Sequence, residues 1–127
     1  MPTITVLPSE MWLHCYDRPE DLAWLQGASW LAVSTTDRDL SVACDRPDPP
    51  GAKQTSGPYR VLRVRDLSDH GALGIVAGVS RPLAEAGISI FTVSSWDTCD
   101  TLVPARRLDE AIDALMLAGY QVVRSDQ

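Results

Sequence analysis

The sequence predicts an α+β protein in which antiparallel sheet is covered by helices on one face. Three observations carry this. From Tyr59 onward, runs of strand-like and helix-like periodicity follow one another as β-α-β-β-α-β, the split βαβ or ferredoxin-like arrangement. Gly87 and Gly119 stand where the two helical runs end, the position at which a left-handed residue closes a helix. The first half then repeats the second: Gly27-x-Ser29-x-x-x-Val33-Ser34-Thr35-x-Asp37 matches Gly87-x-Ser89-x-x-x-Val93-Ser94-Ser95-x-Asp97 at an offset of sixty residues throughout.

In chain order, Ile4 and Val6 start a short strand. Met11, Leu13 and Cys15 alternate with Trp12, His14 and Tyr16, the period of a strand with one buried face. On this pattern Cys15 and Cys44 are small core residues and His14 is a surface or rim residue. Pro19 to Gln26 reads as a short helix, with proline in its first turn and Gly27 as its stop. Trp30–Ser34 is a strand, and Leu40, Val42 and Cys44 are the inward side of the next. Residues 45–58 hold Pro47, Pro49, Pro50 and Pro58 with Gly51 and Gly57, which predicts a linker or surface loop. It occupies the place of the second helix of the repeat, so the N-terminal half reads as a degenerate copy, 1–58, ahead of a complete unit, 59–127.

Tyr59–Arg65 is a strand on which Arg63 and Arg65 share a solvated face. A helix over about 73–86 follows, with Leu73, Val76, Ala77, Leu83 and Ala84 as its apolar stripe. Pro82 removes one helical bond and predicts a bend near Gly78–Pro82. Ile88–Ser95 is rich in β-branched residues and suits a central strand. Trp96-Asp97-Thr98 turns the chain and Thr101-Leu102-Val103 returns it. Leu108, Ala111, Ile112 and Leu115 mark a helix at 105–118, and Tyr120–Arg124 is the last strand.

Composition narrows the function. Seventeen acidic against eleven basic residues give a formal net charge of −6, which repels phosphate backbones and argues against a nucleic-acid partner. No stretch approaches the roughly 18 uncharged apolar residues of a membrane span. No basic region precedes an apolar run at the N-terminus, and three unclustered cysteines fit a reducing compartment, so a cytoplasmic location is expected. Metal-ligand, nucleophile-elbow and phosphate-loop motifs are absent, and no cofactor is expected.

Two stretches can carry chemistry. Gly71-x-x-Gly74-x-x-x-Gly78 opens the helix after a strand. Free backbone N–H groups there would favour a small anion such as a carboxylate; alternatively the glycines only permit a tight turn and close packing. Ser95, Asp97, Cys99 and Asp100 surround the turn after the central strand. They offer acceptors for a ligand ammonium group, or they are turn chemistry alone. A third reading pairs Cys99 as nucleophile with His70 as base.

Leu83-Ala-Glu-Ala-Gly-Ile-Ser-Ile-Phe91, running into Val93-Ser-Ser-Trp-Asp-Thr98 and Leu102-Val-Pro104, resembles the ACT-domain proteins of the arginine-sensor (CASTOR-like) group and their bacterial relatives. The resemblance covers about 59–124 well and the N-terminal half loosely. It implies regulatory binding of a free amino acid without catalysis, in a homodimer formed through sheet edges. It assigns the ligand to Asp69, His70, Gly71, Ala72 and Gly74 before the helix and to Ser95, Asp97, Cys99 and Asp100 at the turn. The family's aspartate position holds Cys99, with Asp100 one place later. A one-residue shift exchanges the faces of a strand, so either a bulge returns Asp100 to the pocket or the acidic contact is lost. In the latter case the chain is an ACT-fold interaction module that binds no ligand.

Overall fold

The computed structural model describes residues 2–17, 22–65 and 74–125. In chain order they form β1 (Thr3–Tyr16), a 3-10 turn (Ala23–Leu25), β2 (Leu31–Thr35), β3 (Leu40–Cys44), β4 (Gln54–Val64) and α1 (Ile75–Glu85). These are followed by β5 (Phe91–Ser94), β6 (Cys99–Pro104), a 3-10 turn (Ala105–Arg107), α2 (Leu108–Leu117) and β7 (Gln121–Arg124). The chain divides into two compact units, Met1–Ser9 with Tyr59–Gln127, and Glu10–Pro58. The long strands β1 and β4 each contribute to both.

In the larger unit the strands lie in the order β7-β1-β4-β6-β5. The first residues of the chain thus enter the sheet between the last strand and β4, and the β1–β7 ladder is parallel, Thr3 opposite Gln121 and Val6 opposite Arg124. Ser125 ties off that ladder, with its amide and hydroxyl both donating to the Val6 carbonyl. The β4–β6 and β5–β6 ladders are antiparallel. One apolar core joins Ile4 and Val6 of β1, Leu62 and Val64 of β4, Cys99 and Val103 of β6, and the inner faces of both helices.

Helix α1 differs from its expected form in phase. α1 buries Ile75, Val79 and Leu83, spaced by four, while Val76 is exposed. The part of the expected stripe at Val76 and Ala77 therefore faces outward, and Leu73 lies outside the described residues. α1 continues through Pro82 to Glu85 without interruption. α2 buries Leu108, Ala111 and Leu115, as its periodicity predicts. Gly78 faces α1's neighbour closely; a Cβ there would stand 2.5 Å from the Tyr120 hydroxyl.

The smaller unit has the strand order β2-β3-β1-β4. Its core is Tyr16, Leu25, Leu40, Val42 and Cys44. Where a helix was expected, residues 23–25 form a single 3-10 turn; 18–21 lie outside the described residues. The stretch 45–58 is only partly a loop, because β4 begins at Gln54. Gly57 makes this possible: a Cβ on it would meet the Trp12 ring at 2.9 Å and the Met11 carbonyl at 3.0 Å. The remaining loop is pinned by Arg46, which donates to the Trp24 carbonyl at 2.5 Å and the Gln26 carbonyl at 3.1 Å. Asp45 accepts from the Ser29 amide and hydroxyl.

The burial of β1 also reverses an expectation. His14 and Tyr16 are buried on the core side, whereas Cys15 is only half-buried. His14 tolerates burial because both ring nitrogens are engaged, with Nδ1 2.9 Å from Thr55 Oγ1 and Nε2 2.6 Å from the Arg46 carbonyl. A carbonyl only accepts, so Nε2 carries the proton. Tyr16 hydrogen-bonds the Pro50 carbonyl. Among the described residues, no helix is long and apolar enough to cross a membrane.

Candidate functional site

α1 starts on Gly74 with no side-chain cap and no acidic residue in its first turn. The Gly78 amide donates back to the Gly74 carbonyl at 2.8 Å, closing the first helical turn. The amides of Ile75 to Ala77, as the first residues of a helix, have no partner within it, and the helix dipole adds partial positive charge there. This is the arrangement that attracts an anion. Asp69, His70, Gly71 and Ala72 lie outside the described residues.

The β5–β6 turn is built by the Ser95 amide donating to the Thr98 carbonyl at 3.0 Å and by the two hydroxyls, Oγ to Oγ1, at 2.6 Å. Ser95 and Asp97 are exposed, and Trp96 at the tip is 88% exposed. Asp97 thus has an open carboxylate, while the Ser95 hydroxyl is already shared with Thr98.

Past the turn the ladder runs in unbroken register, Ser94 opposite Cys99 and Val93 opposite Asp100 on β5, Val64 opposite Cys99 and Arg63 opposite Asp100 on β4. No bulge realigns these residues. Cys99 therefore faces the core beside Val64, and Asp100 faces the other side of the sheet. Burial pushes the Cys99 thiol up, partly offset by hydrogen bonds from Ser94 and Thr101, with Asp100 reinforcing the rise. That is the reverse of an activated nucleophile.

Asp100 is held by Arg63 in a two-pronged pair: Nε donates to Oδ1 at 2.7 Å and Nη2 to Oδ2 at 2.6 Å. The Arg63 side chain is 20% exposed and that of Asp100 4%. Arg63 is thus not on a solvated face as its spacing suggested; the antiparallel register sets it against a buried acid. The hydrogen bonds to Asp100 hold the guanidinium above its ordinary pKa against the opposing effect of burial, and Asp97 adds a weaker attraction. Arg60 is likewise engaged, donating to the Leu7 carbonyl at 2.8 Å. On the same sheet face Tyr59 and Phe91 meet edge to face with centroids 5.1 Å apart.

The sequence-predicted residues therefore separate into groups. Gly74 lies at a helix start with no side-chain cap among the described residues, Ser95 and Asp97 lie at an exposed turn, Cys99 is in the core, and Asp100 is bonded to Arg63. Arg63 is the residue that sequence reasoning missed; its partner follows from the hairpin register, which the alternation of residues does not reveal. In the smaller unit a groove of about 470 Å³ is lined by Leu13, Cys15, Gln54, Thr55 and Ser56, none of them a predicted ligand residue.

A largely antiparallel sheet with two helices packed against one core defines an α+β protein. The fold is of the ACT type, and residues 56–116 match the family model described as ACT domain. No curated protein matches the chain in sequence. Among solved structures it is similar to protein Atu0741 of Agrobacterium tumefaciens, at 24% identity over 99% of this chain and 95% of that one, with a TM-score of 0.87. VC0802 of Vibrio cholerae, described as a protein of unknown function and possible transport protein, is 16% identical over 91% of this chain and 88% of its own, with a TM-score of 0.71. The regulatory subunit of aspartate kinase from Thermus flavus is 10% identical over 91% and 96%, with a TM-score of 0.69.

Proposed function

We propose that this chain is a non-catalytic regulatory protein of the arginine-sensor (CASTOR-like) ACT group that binds a free amino acid as a cytoplasmic homodimer. The observation that carries the reading is the start of α1 at Gly74, which has no side-chain cap among the described residues and lies inside the segment that matches the ACT domain. The ligand carboxylate takes the free amides of the first turn, with Asp69 to Ala72 completing the cradle. The ligand ammonium group takes Asp97, assisted by Ser95. Regulatory subunits of aspartate kinase among the structural neighbours support a regulatory role for this fold. The smaller unit is a degenerate copy of the larger: its order β2-β3-β1-β4 is that of a ferredoxin-like sheet whose helices have shrunk to a 3-10 turn and a pinned loop.

One observation favours a second reading. The Arg63 pair neutralises Asp100, and Cys99 faces the core, so neither offers the acidic contact of the family pattern. On that reading the chain is an interaction module without a ligand.

A thermal-shift panel of the twenty amino acids at ten millimolar separates the two. Ligand at a hundred times its dissociation constant stabilises by about 2.7 kcal/mol, which raises Tm by on the order of ten degrees in a domain of this size. The sensor reading expects one amino acid to stand out and its shift to fall in Asp97→Asn. A flat panel overturns it in favour of the interaction module.

A further inference from the structure

We infer that the amino acid bound at the β5–β6 turn carries a carboxamide side chain, asparagine or glutamine, and that Arg63 selects it. The inference rests on the sensor reading above and names the class of its ligand.

A guanidinium has five N–H groups in one plane. Arg63 commits Nε and one N–H of Nη2 to Asp100. The other N–H of Nη2 and both of Nη1 have no protein partner among the described residues. The side chain is 20% exposed, so a small molecule can reach these donors. Asp100 thus balances the charge of Arg63 without exhausting its capacity for hydrogen bonds.

The placement of Arg63 brings those donors to the turn. It is the last residue but one of β4 and stands opposite Asp100, which stands opposite Val93 on β5. Directly paired residues share a sheet face, so the three side chains lie side by side. Two residues beyond Val93 the turn begins at Ser95. Asp97 in that turn is exposed and close enough for its charge to act on Arg63, yet among the described residues the two form no ion pair. A ligand ammonium group on Asp97 therefore leaves the ligand side chain beside half-buried Val93 and the free donors of Arg63.

The side chain must then supply an acceptor. An aliphatic one shields the N–H groups from water and returns no bond. A lysine or arginine side chain sets a second cation against the guanidinium. Aspartate or glutamate is a third carboxylate around one guanidinium, after Asp100 and Asp97. A carboxamide avoids all three: its neutral carbonyl accepts from Nη1, and its NH2 group donates to the open carboxylate of Asp97.

Isothermal titration calorimetry of the full chain at neutral pH tests this, with the twenty amino acids and homoleucine. Leucine and homoleucine are the branched alkyl isosteres of asparagine and glutamine. The expected result is that one of the two carboxamides binds tightest. It exceeds its alkyl isostere by about ten- to hundredfold, the effect of a hydrogen bond to a charged group, and it exceeds its own acid. In Arg63→Met/Asp100→Leu, which removes the donors together with the buried acid, the advantage over the alkyl isostere is lost. A chain that binds none of the twenty overturns this inference and the sensor reading together. Tightest binding of any other amino acid overturns the carboxamide assignment and leaves the sensor standing. A carboxamide preference that survives the double variant overturns Arg63 as the selecting group. Should that variant fail to fold, the wild-type order of carboxamide, acid and alkyl isostere alone decides.

Discussion

Replacing Arg63 should destabilise the protein more than replacing Asp100. The two side chains bond through both prongs at 2.6–2.7 Å, yet they are buried unequally, 20% exposed for Arg63 and 4% for Asp100. Arg63→Met leaves a carboxylate deep in the sheet without its bidentate partner, and the short aspartate cannot reach water. Removing one member of a buried pair costs about 3–5 kcal/mol, so a loss of about 3 kcal/mol is expected here. Asp100→Ala instead releases a guanidinium on a long stem that can swing its charge toward solvent, which reduces the loss to about 1–2 kcal/mol. The double variant Arg63→Met/Asp100→Leu removes both charges and should fall within about 1 kcal/mol of wild type. Urea unfolding reads all three. With a slope of about 1.5 kcal/mol per molar, Arg63→Met lowers the midpoint by about 2 M. Equal losses from the two single changes, or a double variant as unstable as their sum, would refute the desolvation argument.

Three further outcomes are expected. Gly78→Ala gains about 1 kcal/mol of helix propensity but drives a methyl against the buried Tyr120 hydroxyl, so a net loss of about 1–2 kcal/mol is expected, partly recovered by Tyr120→Phe; chemical denaturation checks it. A thiol-specific chromogenic reagent at neutral pH should label Cys15 first, while Cys44 and Cys99, whose thiols burial pushes up, react only on unfolding; a fast Cys99 would contradict its inward placement. Burial raises the Asp45 carboxyl pKa, but the Ser29 hydrogen bonds and Arg46 outweigh it, so the group sits below its ordinary value. Its contribution to stability is therefore present above the usual carboxylate pKa and is lost as pH falls through the lowered one. Ser29→Ala should be least stable relative to wild type at neutral pH, with the gap closing below about pH 4 in urea midpoints; a constant gap would mean that Asp45 does not titrate against Ser29.

Local pattern and tertiary pairing divide what could be read from the sequence. The stripe of α2, the inward side of β3 and the glycines that end the helices were legible because each is set within a few residues by periodicity or backbone freedom. The phase of α1 was not, because the run offers two apolar stripes, one through Val76 and Ala77 and one through Ile75 and Val79, and packing on the core chooses between them. His14 read as a rim residue because its two partners, Thr55 and the Arg46 carbonyl, are distant in sequence. The alternatives for Asp100 could not be separated without the β4–β6 register, which sets a lone arginine opposite it. The extent of β1 was hidden for a related reason. Pro8-Ser9 interrupts the pattern, and nothing local says that Ile4 and His14 belong to one strand serving two cores.

The placement of Thr3–Val6 makes this segment an internal timber of the sheet. Deleting it would not be a neutral change. It would part β7 from β4 and take Ile4 and Val6 out of the larger core. An engineer who wants a reporter or affinity handle on this protein has reason to leave those residues whole. A fragment cut cleanly at Tyr59 would inherit both helices yet lack the strand on which its final one leans.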